Sequence, residues 1–190
     1  MLIAFLSDLH GNMPALDAAV ADATARGAER IVCSGDMTGY GPLPDDVCHF
    51  LQDWQIPALI GNYDRKVLTL LGLLGTDLKS VPNNQATKDM KSKKRKILLW
   101  TVKHLSHQSR LYLSGLPDQL DMKLPSGHML LVVHGSPLSI DNVIYPSITK
   151  PGLTAKLGDL RPDILVCGHT HIPFVRRMGG ILIVNCGSAG

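Results

Sequence analysis

Cysteine is scarce in this chain and never closely spaced. The four cysteines, Cys33, Cys48, Cys167 and Cys186, form no C-x-x-C pair, which excludes a zinc knuckle or a dithiol redox motif. Three of them fall at strand ends, where a small buried hydrophobe is the ordinary use of the residue. A reducing, cytoplasmic compartment is therefore expected. Long apolar runs are also missing: none approaches the roughly 20 residues that span a bilayer, so no membrane partner is expected. The run from Leu2 to Leu6 is followed by Asp8 and has no basic leader, so it reads as a strand and not as a secretion signal. Internal repeats are absent, and the only biased segment is a short lysine run. Charge of one sign is lacking overall, with a formal net charge of +3. Six basic residues and one Asp crowd between Lys88 and Lys96, which leaves the rest of the chain slightly acidic and gives no footprint for a nucleic acid. The run reads as a solvated helix face, the alternative being an electrostatic funnel for an anionic substrate.

A length of 190 residues, with 45% hydrophobic and 18% charged, fits one globular domain over 1–190. Asn12 is placed to cap a helix that carries Pro14 in its first turn. Leu16, Ala19, Val20 and Ala23 then recur on one helical face, ended by Gly27. A strand to Ser34, a loop through Gly39-Tyr40-Gly41-Pro42, a helix from about Pro44 to Trp54 and a strand from Pro57 to Ile60 follow. This β-α-β-α-β order calls for parallel strands with right-handed crossovers. Residues 65–117 read as mostly helical, with Leu98, Val102 and Leu105 on one stripe and Ser106 capping a shorter helix that ends near Gly115. Strands return at Gln119 to Leu124 and Met129 to Val133. Gly179-Gly180 joins Phe174 to Met178 and Ile181 to Val184 as a hairpin. Residues 135–150 read as a loop near the pocket.

Against this background seven potential metal ligands stand out in five short motifs: Asp8-Leu9-His10, Gly35-Asp36, Gly61-Asn62-Tyr63-Asp64, His134-Gly135 and Gly168-His169-Thr170-His171. Each follows a short apolar run that reads as a buried strand. In open α/β sheets the carboxyl ends of the strands are where ligands bind. Two divalent cations about 3.5 to 4 Å apart can clamp a phosphoryl group for in-line attack, and Asp36 is the natural carboxylate to touch both. The donors are oxygen and imidazole with no thiolate, which suits Mn, Fe, Co, Ni or Zn better than Ca.

The ordered motifs D-x-H, G-D, G-N-x-D, H and G-H-x-H resemble those of the calcineurin-like metallophosphoesterases, in particular their compact prokaryotic phosphodiesterase-type members. The match spans residues 1–64 and about 128–190. The resemblance implies a four-layer αββα sandwich of two mixed β-sheets flanked by helices, with a dinuclear metal site at the strand carboxyl ends. It implies that Asp8, His10, Asp36 and His171 hold one metal, and Asp36, Asn62, His134 and His169 the other, with manganese the first candidate. The implied activity is metal-dependent hydrolysis of phosphodiesters or nucleotide-type phosphate esters by a metal-bridging hydroxide, with a small phosphate ester as partner. Asp36, Asn62, Tyr63 and Asp64 are the catalytic candidates, and Arg65 with Asn62 the substrate-binding ones. Tyr63 stands where the family often has a histidine that protonates the leaving group. A phenol of pKa about 10 is a weaker donor at neutral pH, so Tyr63 is expected to line the pocket. Asp64 is expected to orient a neighbouring histidine. Related chains continue for further strands past Gly187-Ser188, so an unpaired sheet edge and self-association are expected here. The alternatives are a protein-binding scaffold of the same fold, as in a retromer subunit, and a serine/threonine protein phosphatase.

Overall fold

Successive strand side chains point to opposite faces, and the apolar ones sort into three layers. The computed structural model describes residues 1–74 and 92–190. Residues 75–91, with Lys88 and Lys91 of the basic run, lie outside the described residues. Strands β1 (Ile3–Leu6) and β2 (Arg30–Cys33) pair in parallel. A five-stranded mixed sheet runs β3-β4-β5-β7-β6, from β3 (Gln119–Lys123), β4 (Met129–Val133), β5 (Ile164–Cys167), β6 (Phe174–Met178) and β7 (Ile181–Asn185). Its central pairs β4/β5 and β5/β7 are parallel, and the outer pairs β3/β4 and β6/β7 are antiparallel. The unbroken apolar runs of β4 and β5 suit strands covered on both faces. Gly179 and Gly180, both at positive φ, make the tight turn of the expected hairpin.

Val32 and Leu59 meet Leu130, Val132 and Val166 between the two sheets. The other face of the large sheet, carrying Leu131, Val133, Leu165, Cys167 and Ile183, packs on Leu153 and Leu157. The other face of the small sheet packs Leu6 and Cys33 against Leu16, Val20, Val47, Leu51, Val67, Leu70, Leu98, Val102 and Leu113. These last come from helices α1 (Met13–Ala25), α2 (Pro44–Asp53), α3 (Asn62–Leu74), α4 (Ser92–His104) and α5 (His107–Ser114). The order of layers is α-β-β-α. Two caps read from the sequence are in place: the Asn12 side chain accepts from Ala15 N at 3.2 Å and the Ser106 side chain from Ser109 N at 3.1 Å.

Three features depart from the sequence pattern. The strand expected over 57–60 is reduced to a single parallel bridge, Cys33 to Ala58: Pro57 has no N–H to donate, and Ile60 N turns away to Pro117 O at 2.9 Å. A helix, α6 (Lys150–Leu157), forms where none was expected, capped by the Thr149 side chain and ended at Gly158. The last strand, β7, is bonded on both sides, so the edges of the large sheet are β3 and β6. Beyond β7, residues 188–190 run beside the end of β1, with Ala189 N donating to Ser7 O and Gly190 N to Asp8 O. All four cysteines are free, and burial pushes their thiols up, Cys186 to about 11 and Cys167 to about 12. Among the described residues no helix is long and apolar enough to cross a membrane.

Leu59 is fully buried between the sheets. Leu59→Ala is expected to lower the free energy of unfolding by about 2 to 5 kcal/mol in urea denaturation, whereas Leu138→Ala, at a site 64% exposed, should change it by less than about 0.5 kcal/mol.

Candidate metal centre

The chain turns sharply at the end of each strand that carries a motif. Among the described residues six non-glycine positions have left-handed φ, and five of them are Asp8, His10, Asp36, His169 and His171. Such backbone costs free energy and persists only where the surroundings enforce it. Here the enforcement is a ladder of backbone bonds beyond the β1/β2 pair: Asp8 N to Gly35 O, His10 N to Asp36 O and Gly11 N to Met37 O, at 3.0, 2.9 and 2.8 Å. Gly168 N donates to His134 O at 2.8 Å across the large sheet. Two glycines permit the close approach of these loops. A methyl group at Gly61 would overlap Asp36 N and Oδ1, and one at Gly168 would overlap Ser7 Oγ.

These turns gather the side chains into two adjoining clusters. Asp8, His10 and His171 present ligand atoms within 4.8 Å of one another, and so do Asp36, His134 and His169. Asp36 faces both clusters, with Oδ2 at 3.9 Å from His10 Nε2 and 3.5 Å from His134 Nε2. Its Oδ1 is held by Tyr63 N at 2.7 Å. A carbonyl can only accept, so His10 Nδ1, 3.0 Å from Thr38 O, and His134 Nδ1, 2.9 Å from Ser34 O, carry the ring protons. Their Nε2 lone pairs are thereby turned inward, the arrangement metal-binding imidazoles adopt. Asn62 joins the second cluster through Oδ1, at 3.1 Å from both His134 Nε2 and His169 Nδ1.

The donor set fits a pair of divalent ions. His10 Nε2 lies 3.2 Å from His171 Nε2, and His134 Nε2 lies 3.1 Å from His169 Nδ1, so ring nitrogens able to ligate an ion face one another across each cluster. Asp8 Oδ2 is satisfied by Ser7 Oγ at 2.6 Å and His169 N at 2.9 Å. Asp8 Oδ1 is buried without a hydrogen-bond partner, although His171 Nε2 lies 3.1 Å away. A cation between these atoms would satisfy all of them. Burial acts upward on the Asp36 carboxyl, but the hydrogen bond and charge of His134 outweigh it and hold it below the usual carboxylate range. Burial acts downward on His134, and the Asp36 hydrogen bond and charge outweigh that and raise it to about 9.

The remaining candidates fall in different places. Asp64 does not touch a histidine, contrary to expectation. Fully buried, it accepts from Met37 N, Thr38 N, Thr38 Oγ1 and Gly61 N, at 3.3, 2.9, 2.8 and 2.9 Å. It therefore clamps the loop after Asp36 to the start of α3, where its bond to Gly61 N has the form of a capping-box return. Burial and the Asp36 charge push its carboxyl up. Tyr63 is buried and sets its ring edge-on to His10, centroids 5.3 Å apart. Its hydroxyl bonds that of Tyr40, and burial followed by that bond pushes the phenol further up. Arg65 pairs with Asp118 and borders a recess of about 270 Å³ with His134 and Ser136. His49, His104, His107 and His128 join neither cluster.

Three residues near the centre are not among the candidate ligands or substrate-binding residues. Lys94, from the basic run, places Nζ 4.8 Å from the Tyr63 ring centroid, and Lys66 Nζ lies 5.7 Å from it. Asp141, in the loop after His134, accepts from Lys66 Nζ at 3.0 Å and from Asn62 Nδ2 at 3.2 Å. The run of lysines hinted at Lys94. Lys66 is one helical turn past Asn62, and nothing local distinguishes Asp141.

A layered α/β sandwich with two adjoining ligand clusters at its strand ends defines a candidate two-metal protein. The chain belongs to the calcineurin-like phosphoesterase superfamily, whose domain model matches residues 1–190. It is 29% identical over 188 residues to an uncharacterized protein of Methanocaldococcus jannaschii, covering 98% of this chain and 69% of that one. Among solved structures it is similar in fold to a hypothetical protein of Pyrococcus horikoshii, with TM-score 0.80, 23% identity and coverage of 100% and 78% of the two chains. A metallophosphoesterase of Sphaerobacter thermophilus gives TM-score 0.74, 24% identity and coverage of 99% and 76%. More distant folds at TM-score 0.51 include an archaeal phosphodiesterase, at 15% identity, and vacuolar protein sorting 29 of Cryptosporidium parvum, at 17%.

Removing the Asp64 carboxylate would leave its four donors without their acceptor in a dry interior. Asp64→Ala is expected to cost at least about 3 kcal/mol of stability in urea denaturation. Asp17→Ala, on the exposed face of α1, is the matched control and should cost less than about 0.5 kcal/mol.

Proposed function

We propose that this protein is a metal-dependent hydrolase of phosphate esters, acting on phosphodiesters or nucleotide-type phosphates, with two divalent ions, manganese first among the candidates. One observation carries the reading: two groups of three ligand side chains meet at adjoining points, with Asp8 Oδ1 buried and lacking a hydrogen bond. In this reading Asp8, His10, Asp36 and His171 hold one ion, and Asp36, Asn62, His134 and His169 the other. Such ions supply Lewis-acid polarisation of the phosphoryl oxygens and a water-derived nucleophile at neutral pH. The chain's own residues do the rest. Asp36 spans the two clusters, and Thr38 O and Ser34 O fix the tautomers of His10 and His134. The ammonium groups of Lys94 and Lys66 beside Tyr63 draw an anionic ester to the mouth. Arg65, which borders one recess with His134 and pairs with Asp118, would meet a substrate oxygen on leaving that partner. Tyr63 packs the pocket wall rather than giving up a proton, since its hydroxyl is committed to Tyr40. Catalysis then rests on the leaving group's own acidity. Four free thiols suit a reducing cytoplasm.

A binding scaffold is the second reading, favoured by the tyrosine at the position where an imidazole acid would stand. Both readings are separated by supplying Mn²⁺, Ni²⁺, Zn²⁺ or Mg²⁺ to metal-stripped protein and following bis-p-nitrophenyl phosphate and p-nitrophenyl phosphate. The expected outcome is metal-dependent turnover, faster on the diester and reduced to background in Asp36→Asn. Folded protein that turns over neither ester with any of these ions would shift the reading to the scaffold. Tyr63→Phe is expected to change rates on activated and unactivated diesters by the same factor. A selective loss of about 100-fold or more on the unactivated ester would instead mark the phenol as a general acid.

A further inference from the structure

We propose that Asp141 is a positioning residue that decides which end of the Asn62 amide faces the metal centre, with Lys66 holding Asp141 in place. The inference rests on the metal-centre reading above and adds a residue to it. A side-chain amide has two ends of similar shape and opposite chemistry: the oxygen offers lone pairs to a cation, and the nitrogen offers two protons. Only one orientation serves a metal. In this protein Oδ1 points inward to His134 Nε2 and His169 Nδ1, and Nδ2 points outward to Asp141 Oδ1 at 3.2 Å. A carboxylate can only accept. Rotating the amide by half a turn would set Asn62 Oδ1 against it and aim two protons at the centre.

The support for Asp141 comes from two directions. Lys66 follows Asn62 by four residues, so both project from one face of α3, and both donate to the same oxygen of Asp141. The loop that presents Asp141 is itself fixed. Ser136 and Ser139 exchange backbone bonds at 3.1 Å, Asn142 N donates to Ser139 O, and the Asn142 side chain is tied to Ser136 Oγ and to Lys156 of α6. Ile144, three residues on, is fully buried. The segment that begins at His134 thus supplies one ligand and orients a second. With the Asp141 side chain 63% exposed, its pairs add little to global stability. Orientation is what it contributes.

Calorimetric titration of Mn²⁺ into metal-stripped wild type, Asp141→Ala and Asp141→Asn tests this. Wild type is expected to bind two ions. Asp141→Ala should weaken one of them by about 10-fold or more, leave the other unchanged, and leave the melting temperature of the metal-free protein unaltered. Asp141→Asn, whose own Oδ1 can still accept from Asn62 Nδ2, should recover most of the loss. Added to Asn62→Ala, Asp141→Ala should have no further effect. Wild-type affinities in Asp141→Ala, or additive losses in the double variant, would overturn the positioning role while leaving the metal centre standing. A wild type that binds no divalent ion would overturn the metal-centre reading itself, and that result is read before any variant is made.

Discussion

Metal-ligating atoms crowded at the strand ends, with both carboxylates buried, are the constraint on which this molecule depends. Two buried carboxylates, an amide oxygen and four imidazole nitrogens converge there, and the buried negative charge calls for positive charge beside it, as bound ions or as protons on the rings. The coupling of Asp36 to His134 expresses that demand in the chain alone: one is held low and the other is raised. Much else in the fold is delivery. The sheets bring five loops to one place, glycines let backbones touch, and two carbonyls turn two rings the right way.

Three aspartates of similar burial have been given different work by their neighbours. Asp8 keeps one oxygen occupied by Ser7 and His169 N and leaves the other bare. Asp36 gives one oxygen to a backbone N–H and turns the other to both clusters. Asp64 is consumed entirely by donors from the two loops it joins. A carboxylate with every lone pair committed has nothing to offer an ion. The chemistry of each is set by what remains unpaired and not by residue type.

Much of the architecture was legible because strand patterns are local. Met129–Val133 and Ile164–Cys167 could only be buried strands, and the motifs behind them had to share one end of the sheets. The grouping of candidate ligands is implied by family resemblance and not by spacing, since Asp8 and His171 meet only through the fold. Where local pattern failed, a specific competitor won. Pro57 cannot donate, which cut a strand to one bridge. The segment Lys150–Leu157 contains Gly152 and few apolar residues, so its helix depends on Thr149 and on packing against the large sheet. Asp64, two residues past Asn62, reads in sequence as a carboxylate that orients a histidine, but its first-turn position in α3 points it at backbone N–H groups. Asp141 could not be found from sequence, because its meaning lies in atoms 75 and 79 residues away.

The left-handed backbone of five candidate ligand residues has an evolutionary side. Each such residue costs about 1 kcal/mol relative to glycine in the same conformation, and the lone pairs they face add to the burden. A lineage that used this fold only as a surface would gain thermal stability by letting these positions drift to glycine or asparagine, with nothing lost. Marginal stability makes such drift easy. Aspartate and histidine at all five positions therefore hold backbone strain that glycine would release, while presenting side chains that glycine could not supply.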